Sequence, residues 1–445
     1  MKQKTAIKFV AFFLLTLWTV NHNLIAALQT NHIFHTPIRT RDFFYNNKTQ
    51  SSGSFFFSHA KKGFNFNEKK VSVLSLDGEY NLKEITKALD IYNNDLENNT
   101  YVNPLGKLST DYLGRNAIYD NAVTIQTYGI NISHEQRLFK DLLFFGVKLP
   151  IVHLRTHNKT VFSTKKSDPF FNDIYNNDPT KWHNIEVARR DIHQELGLQG
   201  NLWSQTSIGD CEFHLALHKA WDHVLMCKKI QLSCRLGSVA PTGIERDDDY
   251  MSSVAFGNNG HWSIYGSLGA EVELKQNLTT GILTSIVFPL SHKDLQQRIA
   301  VYEEPSYLSP LKMDIKVQSG ILWSVAPYVT FENLLQGANL HIKYTYMQHT
   351  KNKLTEINHD DPVKSYLTRA DGLFVDTEGL LQVKRLKEQN KWHEHYLTFE
   401  ANYNPHLALK KWWYDPHFYA LYNYPLGGRG AAQNYHFEFG IVLHF

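Results

Sequence analysis

The segment YHFEFGIVLHF, residues 435–445, alternates between apolar and mostly polar side chains. Successive side chains of a β-strand point to opposite faces, so the segment predicts a strand with one aromatic and aliphatic face. A strand that ends on an aromatic residue is unusual for a soluble protein, because chain termini usually end in polar tails. The apolar face consists of Phe437, Phe439, Ile441, Leu443 and Phe445.

This terminal segment resembles the C-terminal signature of bacterial outer-membrane proteins, in which a final Phe follows alternating apolar residues. The resemblance implies that the apolar face is an insertion signal read by the barrel insertion machinery. It also implies that the chain lies among the lipids of the bacterial outer membrane. The alternative is a soluble exported β-sandwich whose last strand also ends in Phe.

The first 27 residues have the layout of a secretory signal peptide. Lys2, Lys4 and Lys8 make a basic start, the apolar run 9–20 follows, and small residues stand near Ala27. The apolar run is too short to span a bilayer as a stable helix. No later stretch of about 18 apolar residues occurs, so we expect an exported protein without helical membrane spans.

The composition agrees with a membrane barrel without proving it. Of the 445 residues 13% are aromatic, while the mean hydropathy is −0.37, which is too polar for a bundle of membrane helices. In a barrel only alternate residues meet lipid, and aromatic residues line both interfaces. A net charge of +3 gives no electrostatic footprint for nucleic acid.

Alternating segments of about ten residues recur along the chain and predict an all-β fold, a transmembrane antiparallel barrel of 12 or 14 strands. The predicted organisation is a signal peptide (1–27), an N-terminal segment (28–110) and the barrel (111–445). The middle segment forms a plug, an extension or the first strands. The clearest strand segments are 119–132, 138–153, 208–221, 226–238, 262–274, 278–288, 320–331, 338–348, 392–403, 415–424 and 433–445, and weaker ones are 55–66, 69–76 and 297–317.

Two segments show helical spacing of apolar residues instead, namely 82–92 and 181–196. The second lies in a long connection, 155–206, and a further long connection spans 351–391. Connections of this length usually carry a function. In a barrel they predict an external lid or a loop folded into the pore.

Three cysteines, Cys211, Cys227 and Cys234, are too few for a disulfide framework. A tight turn at Asp222–His223 would place Cys211 opposite Cys234, near disulfide range. The alternative is that the cysteines are unpaired and serve as small apolar residues.

If the apolar side of each strand faces lipid, the other side faces the lumen. This set has mixed charge, so it predicts either a weakly selective channel or opposite charges that pair and fill the interior. The predicted channel-lining residues are His214, His218, Arg235, Glu271, Glu273, His341, Lys343, Glu400, His436 and Glu438.

The sequence predicts no cofactor and no metal site. His214 and His218 share a strand face, but about 13 Å separates them, which is too far for one zinc ion. His393 and His395 are closer neighbours without a visible third ligand. The pair His261 and Ser263 resembles the His-x-Ser pair of phospholipase barrels, yet the strand alternation turns the serine inward, so we expect no enzyme.

The segment 207–243 begins SIGDCEFHLAL and ends VAPTG, and GNNGHW follows at 257–262. Over about 205–290 this layout resembles the putative phenol-degradation meta-pathway barrels, which are related to the long-chain fatty-acid transporters. The resemblance implies a channel or transporter for small, hydrophobic solutes and transfers no site residue. The alternative function is a structural or adhesive surface barrel whose long loops bind a partner. The oligomeric state is left open.

Overall fold

The computed structural model describes residues 49–76, 78–87, 114–139, 142–195, 198, 200–224, 227–247, 249–290, 294–298, 300, 305–309, 312–356, 390–405 and 415–445. The predicted signal peptide, residues 88–92 of the first predicted helix and most of the connection 351–391 lie outside the described residues.

The strands are β1 (Gln50–Ala60), β2 (Lys62–Phe64), β3 (Lys70–Ser72), β4 (Tyr80–Asn81), β5 (Ile118–Phe139), β6 (Leu143–Phe162), β7 (Leu202–Ile208), β8 (Cys211–Val224), β9 (Cys227–Ala240), β10 (Ser263–Lys275), β11 (Leu278–Pro289), β12 (Asp294–Arg298), β13 (Lys312–Gln318), β14 (Leu322–Leu335), β15 (Ala338–His349), β16 (Lys353–Glu356), β17 (Trp392–Tyr403), β18 (Asp415–Arg429), β19 (Ala431–Ala432) and β20 (Tyr435–His444). The helices are α1 (Pro169–Asn177) and α2 (Pro179–Glu195), and 82–87 is also helical.

Twelve antiparallel strands close into a barrel. The order around the wall is β1, β20, β18, β17, β15, β14, β11, β10, β9, β8, β6 and β5, and β5 pairs with β1 to complete the circle. Closure gives every wall strand two neighbours, so no wall edge exposes unpaired backbone groups to lipid. The all-β barrel and the lower of the two predicted strand numbers are confirmed.

Further short strands lie at one end of this wall. β7 and β8 both pair with β6 and are separated by a break at Gly209–Asp210, and β4 pairs with the start of β5. Two small sheets, β12–β13–β16 and β19–β2–β3, complete the assignment.

The two ends of the barrel differ in their connections. Short turns join β5 to β6, β8 to β9, β10 to β11 and β14 to β15 at one end, which we call the turn end. The end of β17 and the start of β18 also lie at the turn end. Long connections join the strands at the opposite end, the loop end. In outer-membrane barrels short turns face the periplasm and long loops face the exterior.

The strand β20 shows why these residues form a barrel wall. His436, Glu438 and His444 are buried on the inner side, and the apolar residues alternate with them on the outer side. The side chains of Phe437, Phe439, Ile441, Leu443 and Phe445 therefore face outward, where lipid is the partner that an exposed apolar side chain requires. Their role as an insertion signal stays a prediction.

The outer face of β6 marks the upper limit of the lipid-facing band. Its outward residues from Leu143 to Ile151 are apolar, and this stretch rises about 26 Å along the strand. A tilt of about 40° leaves ~20 Å, close to the height of the apolar band in such barrels. The next outward residue is His153, whose ring stacks on Tyr128 of β5 at 4.7 Å between centroids. We call this level the boundary.

Above the boundary, at the loop end, the connections pack into a folded unit. This cap consists of 73–85, α1, α2, 244–256 and 305–309, and its apolar side chains form one buried cluster with the upper inner faces of β5 and β6. The fully buried Ile185 and Ile192 of α2 belong to it, so the helix predicted at 181–196 is confirmed. In the described part of the chain no helix is both long and apolar enough to cross a membrane.

A polar contact ties the cap together. The Tyr80 hydroxyl lies 2.6 Å from Nε2 of His193 on α2; Tyr80 is fully buried in the apolar cluster and His193 lies half-buried beside it. Burial, with a smaller effect from the positive charge of Arg189, lowers the pKa of His193 to about 3. Burial raises the pKa of Tyr80 to about 12. Both groups are therefore uncharged at neutral pH, as their apolar surroundings require.

The predicted cysteine register is wrong. Cys211 lies opposite Ala240 and Cys234 opposite Leu217, and none of the three cysteines forms a disulfide with another described residue. The strands do not turn at Asp222–His223, because their pairing continues to Val224 and Cys227.

The structure also changes three predicted limits. The segment 28–110 was predicted to form a plug, an extension or the first strands of the barrel. β1 lies within it and is a full strand of the wall. The segment 138–153 contains the turn between β5 and β6 rather than one strand. The connection predicted at 155–206 is shorter, because β6 continues to Phe162 and β7 begins at Leu202.

Candidate functional site in the barrel lumen

Below the boundary the barrel interior is polar on the side formed by β5, β8 and β9, and one carboxylate there holds several strands together. Glu135 of β5 accepts hydrogen bonds from Nη2 of Arg235 at 3.2 Å, from Nε2 of His214 at 3.1 Å and from Nε2 of Gln50 at 2.5 Å. The carboxylate of Glu135 and the guanidinium of Arg235 are almost fully removed from solvent. Such a buried pair is stable only when hydrogen bonds satisfy both charges, as they do for the carboxylate here.

The ring of His214 reaches this carboxylate because β6 has no side chain in its path. A Cβ atom at Gly146 would lie 2.3 Å from the His214 ring, so any other residue would displace the ring. The other ring nitrogen, Nδ1, lies 3.6 Å from the carboxylate of Glu212. His214 therefore stands between two carboxylates on the inner wall.

Glu212 forms the second part of this charged cluster. It accepts a hydrogen bond from the Tyr265 hydroxyl, and Lys148 lies directly opposite it in the register of β6 and β8. Glu135, Glu212, Lys148 and Arg235 thus contribute two negative and two positive charges to one side of the lumen. The charges alternate in sign, so this side forms an internally neutral surface.

Two further carboxylates have their own hydrogen-bond donors. Glu271 accepts from the Tyr328 hydroxyl at 2.6 Å and from Gln231 at 3.2 Å. Glu438 accepts from the Ser54 hydroxyl at 2.6 Å and from the Tyr419 hydroxyl at 2.7 Å.

A loop folds into the lumen from the loop end and is attached to the wall at Asp210. The carboxylate of Asp210 accepts hydrogen bonds from the backbone N–H of Gly243 at 2.9 Å and of Asn258 at 2.5 Å. Gly257 has φ +101°, and a Cβ atom there would lie 2.1 Å from the Asp210 carboxylate. We call residues 241–262 the inner loop. Its close approach to the carboxylate requires glycine at this position.

The inner loop contacts the wall through an aromatic pair. Phe256 packs on Phe56 of β1, with ring centroids 6.4 Å apart and nearly parallel planes. A backbone bridge between Ile244 and Phe256 holds the loop in a narrow hairpin-like shape. The loop therefore forms the lower side of the apolar cap, facing the polar lumen below.

Beneath the inner loop lies a cavity of about 250 Å³. It is lined by side chains from strands on several sides of the lumen. One part of its surface is the charged cluster of Glu135, Glu212, His214, Arg235 and Lys148. A second part, from β11, β14 and β15, is apolar with interspersed hydroxyls, and its members are Leu283, Val287, Leu322, Ala326, Met347, Ser285, Ser324 and Thr345.

All ten predicted lining residues occupy strand positions whose side chains face the barrel interior. His214, Arg235, Lys343 and Glu438 contribute to the cavity surface. Placed inward but away from the cavity are His218, Glu271, Glu273, His341, Glu400 and His436. Whether any of the ten lines a conducting path stays a prediction.

Sequence reasoning missed the most connected members of the site. Glu135 lies beyond the predicted end of its strand, although its odd number gives it the same parity as inward Asn131. Extending the alternation by a few residues would have found it. Glu212 lies on the same strand face as the predicted residue His214. Lys148 lies on the same strand face as the inward Gly146. Asp210 follows the break between β7 and β8 and has no alternation signal.

The interior offers little to a metal ion or to ester hydrolysis. Within the described ranges no three His, Cys, Asp or Glu side chains form a group that could hold a metal. The rings of His393 and His395 pack edge to face. Ser263 points inward and accepts a hydrogen bond from the Asn258 amide at 3.0 Å, so it has no access to lipid.

Comparison with known proteins gives structural likenesses alone. No protein-family model and no curated protein matches the chain. The chain is similar to an outer membrane channel from Pseudomonas putida F1, at 9% identity and a TM-score of 0.49, over 92% of this chain and 100% of that one. It is also similar to a FadL homologue of Pseudomonas aeruginosa, at 9% identity and a TM-score of 0.32, over 90% of each chain. A third likeness is to the β domain of the Bordetella autotransporter BrkA, at 9% identity and a TM-score of 0.34, over 90% and 100%.

These TM-scores are too low to carry a function over to this chain. The barrel itself is the stronger observation: it is closed, apolar outside below the boundary and polar inside. Only closed barrels and helices satisfy all backbone groups within a bilayer. The chain has the fold of a bacterial outer-membrane β-barrel.

Proposed function

We propose that this chain is an outer-membrane channel that carries small solutes through its lumen, with the inner loop as the constriction. The observation that supports this most is the cavity of about 250 Å³ inside the wall, beneath a loop that the Asp210 carboxylate helps to attach. A barrel filled for structural purposes alone would have no need of a chamber of this volume.

The two parts of the cavity surface favour a solute that is itself amphipathic. The charged cluster offers both hydrogen-bond donors and acceptors, while Leu283, Leu322 and Met347 offer an apolar contact surface. Because the charges of the cluster compensate each other, the lumen favours neither anions nor cations strongly. A small, uncharged solute with one polar end fits this surface best.

The deciding experiment is single-channel conductance of the folded full-length protein in a planar bilayer. Folding is checked by the shift in gel mobility between heated and unheated samples. The variant Asp210→Ala removes the acceptor of both backbone N–H groups of the inner loop, so we expect larger or more frequent conductance steps than in the natural protein. The matched control is Asp222→Ala, which removes an exposed carboxylate at the other end of the same strand.

The alternative function is a structural or adhesive barrel whose external loops bind a partner. The observation that favours it is the cap, which gives the loop end a folded outer surface. If the natural protein and Asp210→Ala both fold, stay silent in the bilayer and allow no solute into swelling liposomes, the channel proposal is wrong.

A further inference from the structure

The outer face of β6 changes its chemistry abruptly at the boundary. Below it the outward residues are Leu143, Phe145, Val147, Leu149 and Ile151. Above it, the next outward side chains are His153, Arg155, His157 and Lys159. We call these last four the basic column. Adjacent members lie about 6.6 Å apart along the strand, so the column extends upward from the level at which the lipid headgroups begin.

The strand register shows that no acidic residue flanks this column. On the β5 side its members face Tyr128, Gln126, Thr124 and Ala122. On the β7 side the first three members face Thr206, Ser204 and Leu202. All of these neighbours are uncharged.

The nearest acidic residue of the adjacent strand already has a partner. Asp120 of β5 lies one outward position above Ala122, and its carboxylate pairs with Lys166 at 2.9 Å. The side chains of Arg155, His157 and Lys159 are exposed, and among the described residues none of the three forms an ion pair or hydrogen bond. Arg155 and Lys159 are therefore available cations on a wall without compensating charge.

Position and charge together identify the partner. Side chains directly above the apolar band contact the headgroups of the surrounding lipid, not bulk water. Anionic headgroups attract basic residues at this level, and the attraction decreases within about 10 Å at moderate ionic strength. A guanidinium matches a phosphate particularly well, because its fork can donate two parallel hydrogen bonds.

We propose that the basic column binds the phosphate groups of outer-leaflet lipids and thereby fixes the β5–β6–β7 face of the barrel against phosphorylated lipid. The site lies on the outside of the wall and is independent of any transport through the lumen. His153 stacks on Tyr128 and shares a hydrogen bond of 2.6 Å with Thr206, so it positions the lower end of the column. Arg155 and Lys159 supply the permanent charge.

The test measures lipid bound to the folded full-length protein by native mass spectrometry from mixed micelles. The probe is a bisphosphorylated glycolipid of the lipid A type, with phosphatidylcholine as the uncharged comparison. We expect the natural protein to retain the phosphorylated lipid preferentially and to lose this preference in high salt. The double variant Arg155→Gln/Lys159→Gln should weaken retention by at least about fivefold, since a cation near an anionic surface contributes about fivefold and Lys159, about 20 Å along the strand above His153, contributes less than Arg155.

The matched control is Lys181→Gln/Arg190→Gln, which removes the same two residue types from exposed positions on α2 in the cap. Equal retention by the double variant and the natural protein would overturn the proposal, as would an equal loss in the control. Displacement by millimolar inorganic phosphate would assign the column to free anions instead. If the double variant fails to fold, the single variant Arg155→Gln decides: weaker retention than in the natural protein supports the column, and equal retention overturns the proposal.

Discussion

The upper and lower halves of the β5–β6 hairpin share one register but have opposite interiors. In the upper half, Val123 and Ile125 point inward to the cap, while polar residues face outward. In the lower half, Glu135 points inward, while Ile130 and Ile132 face lipid. The alternation of faces is unbroken between the halves. The medium outside the wall, water above the boundary and hydrocarbon below it, decides which chemistry each face carries.

The barrel therefore has two interiors of different physical origin. The upper interior is a core like that of a soluble protein, stabilised by apolar burial. The lower interior is stabilised by satisfied charges and hydrogen bonds. Perturbing one kind of interaction at a time should therefore affect one half and leave the other intact.

The largest effect is expected where a satisfied charge in the lower interior loses its partner. Glu135→Ala removes the common acceptor of Arg235, His214 and Gln50, and we expect a loss of about 3–5 kcal/mol in the free energy of unfolding. Urea unfolding in lipid vesicles, followed by tryptophan fluorescence, measures it. The control is Gln136→Ala, at the adjacent exposed position. A loss of less than 1 kcal/mol for Glu135→Ala would mean that the lower interior does not depend on this cluster.

The next effect concerns the upper interior and depends on pH. The pKa of His193 is about 3 in the folded cap and has its ordinary value of about 6.5 when the cap unfolds. Between these values the unfolded state binds more protons, so cap stability is present above pH 6.5 and is lost as the pH falls. At pH 4 the expected loss is about 3 kcal/mol.

Hydrogen exchange of α2 at pH 7 and at pH 4 measures this loss. His193→Gln keeps a neutral polar side chain beside Tyr80 and should remove most of the pH dependence while the lower interior stays protected. An unchanged pH dependence in this variant would assign the acid sensitivity of the cap to another group.

The location of the boundary can be tested by adding the same charge above and below it. Ile132→Arg places a cation on the lipid-facing part of β5, between the middle of the apolar band and the boundary, and should cost about 1–2 kcal/mol. Thr124→Arg places it on the same face above the boundary, where surface substitutions usually change stability by less than about 0.5 kcal/mol. Similar losses at both positions, measured by the same urea titration, would show that the apolar band does not end between them.

The same change of chemistry explains what the sequence could and could not predict. In β20 the outward residues are apolar throughout, so the strand and its faces were predicted correctly. In β6 the apolar residues move from odd numbers to even ones above the boundary. The pattern there no longer resembles a lipid-facing strand, and 155–162 was interpreted as a connection. The cap and the inner loop rest on contacts between distant segments, such as Asp210 with Asn258, which alternation does not encode.

The cysteine register failed for a related reason. The apolar faces of two paired antiparallel strands must lie on the same side of the sheet, so alternative registers differ by an even number of residues. Both the predicted and the observed pairing of β8 with β9 satisfy this rule. The position of the turn was the deciding information. The sequence around Asp222 favours a turn, yet β8 continues three residues past Trp221 to Val224, which pairs with Cys227 at the start of β9.

The smallest expected effect tests the boundary itself. Tyr128 is the last lipid-facing aromatic residue of β5, and its ring stacks on His153, the first residue of the basic column. Tyr128→Leu keeps an apolar side chain at this level but removes the stacking, so we expect a loss of about 1 kcal/mol. The control is Ile130→Leu, one outward position lower, which exchanges one apolar residue for another against lipid. If both variants unfold at the same urea concentration, the stacked pair contributes only apolar surface, and the boundary is set by the change in residue type alone.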